Sequence, residues 1–150
     1  MITTVILVAV GIALAVAIGL WMSGLVATFT RFEKLEVTSA YAIAGTNQWT
    51  VTITVKNTGS ADATITTIMV NGIPTDNPPS GSVSIGVAAT DANGGSLSSP
   101  YSVPVGSTIT FTLTVPSGSW GSGTLSSGIT LNIVLHSAAG KDYPASVTLP

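Results

Sequence analysis

The residues that could perform acid-base or metal chemistry are few and far apart in this 150-residue chain. His136 is the only histidine and cysteine is absent, so a multi-histidine or thiolate metal site is excluded. Asp62, Asp76, Asp91 and Asp142 are well separated and belong to turn-like segments, where an aspartate caps its own backbone. We therefore expect no metal, no cofactor and no enzymatic activity.

Sequence motifs for ligands are equally sparse. The segment from Asp91 to Gly95 lacks the closing glutamate and the spacing of a calcium loop, so it predicts a turn. Neither a Gly-x-Ser-x-Gly elbow nor a phosphate loop ending in Gly-Lys is present. His136 follows Leu135 in an alternating segment and is predicted on the outer face of a strand. Four basic residues and a net charge of -2 argue against a nucleic-acid partner.

The elements that surround these residues divide into two unlike parts. Residues 1–30 contain no charged side chain, whereas Arg31, Glu33, Lys34 and Glu36 follow within six positions. An uncharged helix of that length would measure about 45 Å. A bilayer core is about 30 Å thick. The segment is therefore longer than a simple membrane span requires.

A cleaved signal peptide is a poor interpretation of this segment. Signal peptides carry a basic first region and an apolar stretch of about 7–15 residues. Here no Lys or Arg precedes the apolar stretch, which is about twice that length. We expect the segment to be retained, either as an assembly helix or, alternatively, as a single-pass anchor.

Small and bulky residues form separate rows along the predicted helix. Rows of small residues allow close backbone approach between helices, and bulky rows act as ridges that fill such grooves. An aromatic residue adds either an interfacial anchor or a wedge between helices. The predicted helix-helix assembly residues are Ile6, Ala9, Val10, Gly11, Ala13, Leu14, Ala15, Ala17, Ile18, Gly19, Trp21, Ser23 and Ala27.

Beyond Glu36 the hydrophobic period changes from helical to two. Alternating segments from Trp49 to Val55, Ala63 to Val70 and Val83 to Val87 are typical of half-buried strands, as are two later segments around Phe111 and Ile133. About seven strands without a helical period predict an immunoglobulin-like antiparallel β-sandwich. The expected fold class is α+β, with residues 1–36 as the assembly helix and residues 37–150 as a Thr/Ser-rich β domain.

Threonine and serine dominate the predicted outer faces of the strands. Their hydroxyl groups hydrate a surface without titrating, so we expect this coat to be nearly indifferent to pH. No Asn-x-Ser/Thr sequence occurs, so any attached sugar would be O-linked to Ser or Thr.

The first 40 residues resemble a mature archaeal type IV pilin. The resemblance lies in the uncharged helix, the step Leu20-Trp21-Met22-Ser23-Gly24, and the exit from Thr30 to Glu36 into a Thr-rich β domain. It implies a precursor with a class III signal peptide, removed by a prepilin peptidase. It also implies storage in the cytoplasmic membrane before assembly by an ATPase and its platform. Bacterial pilins usually carry Glu at the fifth position, where this chain has Val5.

The resemblance implies an extracellular filament of identical subunits, and the high Thr content, without any obvious switching device, favours an adhesive pilus. Helices would form its core, β domains its exterior, and Arg31, Glu33, Lys34 and Glu36 the helix-domain junction. At the junction these charges either form pairs that fix the angle between helix and domain or remain solvated. The alternatives are an archaellin of a motility filament, which shares this architecture, and a membrane-anchored β-sandwich binding module.

Overall fold

The chain folds into two compact units, Met1–Phe32 and Glu33–Pro150. The computed structural model describes residues 1–29 and 31–150, with the backbone alone for residues 27–29. The division between the units lies four residues before the predicted boundary after residue 36. This difference arises because Glu33 is buried in the β unit and Leu35 already begins its first strand.

The first unit is dominated by one helix, α1, at Ile2–Phe29, with 28 residues. At 1.5 Å per residue it is about 42 Å long. Its sequence has no proline and is rich in Ala and Leu, which are strong helix formers. Gly11, Gly19 and Gly24 do not interrupt it. The predicted long N-terminal helix is therefore confirmed.

The second unit contains twelve strands. Their bounds are β1 Leu35–Ala44, β2 Gln48–Asn57, β3 Ala63–Val70, β4 Ile73–Pro74, β5 Gly86–Asp91, β6 Ser96–Leu97, β7 Tyr101–Val103, β8 Thr108–Pro116, β9 Gly118–Trp120, β10 Gly123–Leu125, β11 Thr130–Ser137 and β12 Asp142–Thr148.

The strands form an antiparallel sandwich, as the sequence predicts. One sheet has the order β1-β2-β8-β5-β6 and the other β12-β11-β3-β4, with β7 also pairing with β3; β9 and β10 form a separate ribbon. Taking β1, β2, β8 and β5 as strands A, B, E and D gives one immunoglobulin sheet. Strands β12, β11 and β3 then correspond to G, F and C of the other.

The Asn-Gly turn forms where the residue types predict it, whereas one predicted strand begins later than expected. Asn71 and Gly72 have φ values of 52° and 79° and connect β3 to β4, as expected for an Asn-Gly hairpin. The strand predicted from Val83 begins only at Gly86. Val83 instead donates its backbone N–H to the carbonyl of Ser119 at 2.8 Å, outside the regular sheet.

The core lies between the two sheets and is built from the inward half of each alternation. In β8, Ile109, Phe111, Leu113 and Val115 are buried, while the intervening threonines are half-buried on the outer face. The ring of Tyr101 meets that of Phe111 edge-on, with centroids 5.3 Å apart. Period-two burial thus explains both the core and the Thr-rich exterior.

Candidate functional site

The exposed surface of α1 is the largest apolar feature of the described residues. All side chains from Met1 to Val26 are exposed, and Ile2–Val26 is long and apolar enough to cross a membrane. Because apolar side chains surround the helix on every side, no orientation of it alone buries them all. Ile2–Val26 is therefore an apolar surface that the helix by itself leaves exposed.

The predicted assembly residues are distributed around this surface. The bulky Ile6, Val10, Leu14 and Ile18 are each more than half exposed, and Trp21 is 68% exposed. The smaller members are also exposed, and they comprise Ala9, Gly11, Ala13, Ala15, Ala17, Gly19 and Ser23. Ala27 lies outside the residues whose side chains the structure describes.

A shallow apolar groove runs along α1 beside Gly11. It has a volume of about 460 Å³, and Ile6, Val10 and Leu14 contribute to its walls. A Cβ atom added at Gly11 or at Gly19 would meet nothing within 4 Å. Glycine is therefore not required at either position by contacts within this chain.

The junction residues do not behave as one group. Glu33 is buried, with only 9% exposure, and its Oε2 accepts a hydrogen bond of 3.2 Å from Ser137 Oγ. Lys141 Nζ donates to the backbone oxygen of Glu33 at 2.6 Å. These contacts fix the entry of the chain into the β unit.

The remaining junction charges are solvated. Lys34 Nζ lies 2.7 Å from Glu36 Oε1, with both side chains about half exposed. Hydrogen bonding and charge attraction from Lys34 hold the pKa of Glu36 below its usual value. Arg31 is exposed in the first unit. Such exposed pairs are screened by solvent and contribute little to stability.

The charges of the β unit are concentrated at the end where the chain enters it. Leu35 pairs with Asn57, and Glu36 with Lys56, at that end of the first sheet. Asp91, the last residue of β5, pairs with Ile109 near the start of β8. The set of charged residues at this end, here called the collar, is Glu33, Lys34, Glu36, Lys56, Asp62, Asp91, Lys141 and Asp142.

The opposite end of the sandwich is poor in charge, and Asp76, which follows β4, is the one charged Asp, Glu or Lys of the β unit outside the collar set. It comprises the β1–β2 hairpin, the Asn71-Gly72 turn, and the segments that join β8 to β11. Residues 37–55, 92–135 and 143–150 of this fully described unit contain no Asp, Glu, Lys or Arg. The β unit is thus polarised along its strands.

A cavity of about 470 Å³ opens at the collar end of the β unit. Leu97, Pro104 and Ile109 supply apolar walls, while Asp91 and Ser107 supply polar groups. Asp91 Oδ1 accepts hydrogen bonds from the backbone N–H of Asn93, at 2.9 Å, and of Gly95, at 2.7 Å. The predicted turn at Asp91 is therefore present, and it also forms part of a cavity wall.

Among the described residues, the remaining ionisable side chains do not converge on a common site. His136 Nδ1 lies 2.5 Å from Asp142 Oδ1 in an exposed cross-strand pair on the outer face. Asp62 Oδ1 accepts from the backbone N–H of Val105 at 2.9 Å. Within the described part of the chain, no three His, Cys, Asp or Glu side chains are placed to hold a metal ion.

Sequence reasoning missed the partners of Glu33 and the cavity at Asp91. Ser137 and Lys141 are 104 and 108 positions away from Glu33, and no local pattern marks them. The one available signal is the low number of charges, four basic and six acidic side chains, because a chain with so few is more apt to use each of them in a specific contact.

Neither a scan against protein-family models nor a search of curated proteins gives a match for this chain. The helix surface, the polarised β unit and the resemblance of the first 40 residues are the features that bear on its function.

Proposed function

We propose that this chain is the structural subunit of an extracellular filament of the archaeal type IV pilus kind. The observation that carries the proposal is the exposed, uncharged surface of α1, which is apolar on every side and attached to a separately folded β-sandwich. In the filament, helices of many copies bury one another and the β units cover the exterior.

The energetics of assembly follow from the composition of α1. Lipid tails are already apolar, so transfer from membrane to filament gains little from the hydrophobic effect. Dispersion between closely packed helices must supply the affinity. Gly11 and Gly19 support this view, because nothing within the chain needs the space that they leave open.

The proposal includes the route by which the subunit reaches the filament. A prepilin peptidase would remove a short basic leader, the cytoplasmic membrane would store the helix, and an ATPase with its platform would extract it. These partners follow from the resemblance of the first 40 residues. Adhesion is the proposed role of the assembled filament.

A membrane-anchored β-sandwich is the second candidate, since Ile2–Val26 satisfies the length and composition of a single membrane span. The helix is about 42 Å long. A bilayer core needs only about 30 Å of apolar length. An anchor would also have no need for aligned rows of small residues.

Electron microscopy of sheared cell-surface fractions tests the proposal. We expect filaments that contain this chain and whose α1 resists added protease. An anchored module would instead remain in the membrane fraction and dissolve as monomers in mild detergent. Absence of the chain from every sheared filament would contradict the proposal.

A further inference from the structure

The cavity at the collar end has the properties of a site for a cationic and aromatic side-chain pair. Its ten lining residues include one carboxylate, that of Asp91, and no cationic group. Its volume of about 470 Å³ lies within the range of about 300–1,000 Å³ for ligand pockets. Apolar walls beside a single carboxylate favour an occupant that combines a ring with a positive charge.

The two hydrogen bonds that hold Asp91 in its turn both end on Oδ1. Neither bond uses the second carboxylate oxygen, Oδ2. A guanidinium group matches a carboxylate in geometry and charge better than an ammonium group does.

The chain itself carries such a pair in its other unit. Arg31 is the only charged side chain of the first unit, and the adjacent Phe32 is 51% exposed. The β unit has three lysines and six carboxylates, which give it a formal charge of -3 with His136 neutral. The two units are therefore complementary in charge.

We propose that the cavity receives Arg31 and Phe32 of a second copy of this chain. The Phe32 ring of that copy packs against Leu97, Pro104 and Ile109. Its Arg31 guanidinium pairs with the Asp91 carboxylate. The inference rests on the proposed filament, and it identifies a contact between β unit and helix exit that sets how neighbouring subunits are placed.

Chain geometry favours a second copy as the source of the pair. Phe32 is bonded to Glu33, which leads into β1, whereas Asp91 lies on β5, three strands away in the same sheet. Three strand spacings amount to about 14 Å.

Charge reversal in the full-length chain tests the contact. Arg31→Asp and Asp91→Arg are each expected to reduce filament yield at least tenfold in cells that assemble the wild-type chain. The matched control is Lys56→Glu, which reverses a collar charge outside the cavity and is expected to leave the yield within twofold.

Co-production of the two single variants distinguishes copies from self-contact. In a mixed filament, Asp at position 31 of one chain meets Arg at position 91 of the other, and the reverse contact is also complementary. We expect the mixture to recover at least half of the wild-type yield. A mixture as poor as either variant alone would overturn the proposal.

Cysteine cross-linking provides an assay that does not depend on assembly of the charge variants. The chain has no native cysteine, so Phe32→Cys and Asn93→Cys chains, produced together with an excess of the wild-type chain that maintains assembly, should form disulfide-linked dimers in filaments under mild oxidation. Asn132→Cys replaces Asn93→Cys in the control. Equal dimer yield in the two pairs would overturn the contact, while wild-type filaments would still support the proposed function.

Discussion

Lys141 Nζ donates a hydrogen bond of 2.6 Å to the backbone carbonyl of Glu33, a residue 108 positions earlier in the chain. The bond joins the turn between β11 and β12 to the segment that enters β1. Ser137 holds the carboxylate of the same glutamate. The point where the chain enters the sandwich is therefore fixed by the last hairpin of the fold.

Replacing this donor should weaken the β unit. We expect Lys141→Met to lower the free energy of unfolding by about 1–2 kcal/mol, because a partly buried carbonyl loses a charged donor. Lys56→Met removes the same charge from an exposed site and should cost less than about 0.5 kcal/mol. Denaturant unfolding of the full chain in detergent, followed by fluorescence of the buried Trp49 and Trp120, measures both. Equal losses would show that the bond contributes nothing.

Asn57 is a second residue whose side chain is held by several hydrogen bonds, which involve both its amide nitrogen and its amide oxygen. Its Nδ2 donates to the carbonyls of Ala61 and Val103, at 2.9 and 2.8 Å, and its Oδ1 accepts from Gly59 N–H at 2.9 Å. Asn57→Asp removes both donated bonds and buries a charge. We expect a loss of about 3 kcal/mol or more.

Asn132→Asp is the matched control for this change, since Asn132 is exposed on β11. It should alter the unfolding free energy by less than about 0.5 kcal/mol. Similar unfolding midpoints for the two variants would contradict the assignment of Asn57 as a buried hydrogen-bonding centre.

The stability of the β unit should be flat from about pH 5 to about pH 9. On the acid side, Lys34 lowers the pKa of Glu36, so that contribution is complete above its ordinary pKa and is lost as the pH falls through the lowered value. On the alkaline side, burial and the nearby Glu33 carboxylate raise the pKa of Tyr143. Its contribution is complete below about pH 10 and is lost as the pH rises through the raised value.

Tyr143→Phe tests the alkaline half of this profile. The variant should lose less stability than the wild type between pH 10 and pH 12, since it has no phenol to ionise at this site. Tyr41→Phe, at an exposed position, should follow the wild-type curve. Thermal unfolding in a series of buffers gives both profiles, and a sloping wild-type curve between pH 5 and pH 9 would contradict the prediction.

Gly19→Leu tests whether glycine is required at this position by the folded chain or by helix packing in the filament. Leucine is the better helix former by somewhat less than the roughly 1 kcal/mol that separates Gly from Ala. Apart from the adjacent residues and the helix backbone within four residues, no atom of this chain lies within 4 Å of a Cβ placed there. Helix content in detergent should therefore be equal or higher. Filament yield should nevertheless fall at least tenfold, because a neighbouring helix would occupy the space.

Ile18→Leu is the control for that experiment, since it conserves side-chain volume on the same turn. It should assemble normally. Circular dichroism in detergent reports the helix, and quantitative microscopy of sheared fractions reports assembly. Normal filaments from Gly19→Leu would remove the argument that small residues mediate helix contact.

The sequence predicted the elements whose periodicity is local. The charge-free segment before Arg31 indicated α1, and the alternation around Phe111 and Ile133 indicated β8 and β11. It failed at Val83, where alternation continued but the backbone left the sheet to pair with Ser119. The hydrophobic period indicates which side chains are buried, and Ile85 is indeed buried. It does not indicate which backbone groups hydrogen-bond to a neighbouring strand.

The candidate sites required tertiary information. Asp91 was correctly predicted to cap a turn, yet its cavity forms only where that turn meets the connection between β7 and β8. In the sequence, Glu33 is one of four charged residues at the boundary. Its hydrogen bonds to Ser137 and Lys141 in the last hairpin are what distinguish it from the other three. Contacts between residues this far apart in the chain produce no characteristic residue pattern in the sequence.

The charge-poor end of the sandwich has a consequence for the proposed filament as a colloidal particle. If these ends face the surrounding water, the fibre gathers almost no counterion layer there, and added salt has little repulsion to screen. Two fibres that approach one another would then be separated mainly by the water bound to Thr and Ser hydroxyls. Lateral bundling would be governed by hydration, and it would respond to dehydrating solutes far more than to ionic strength.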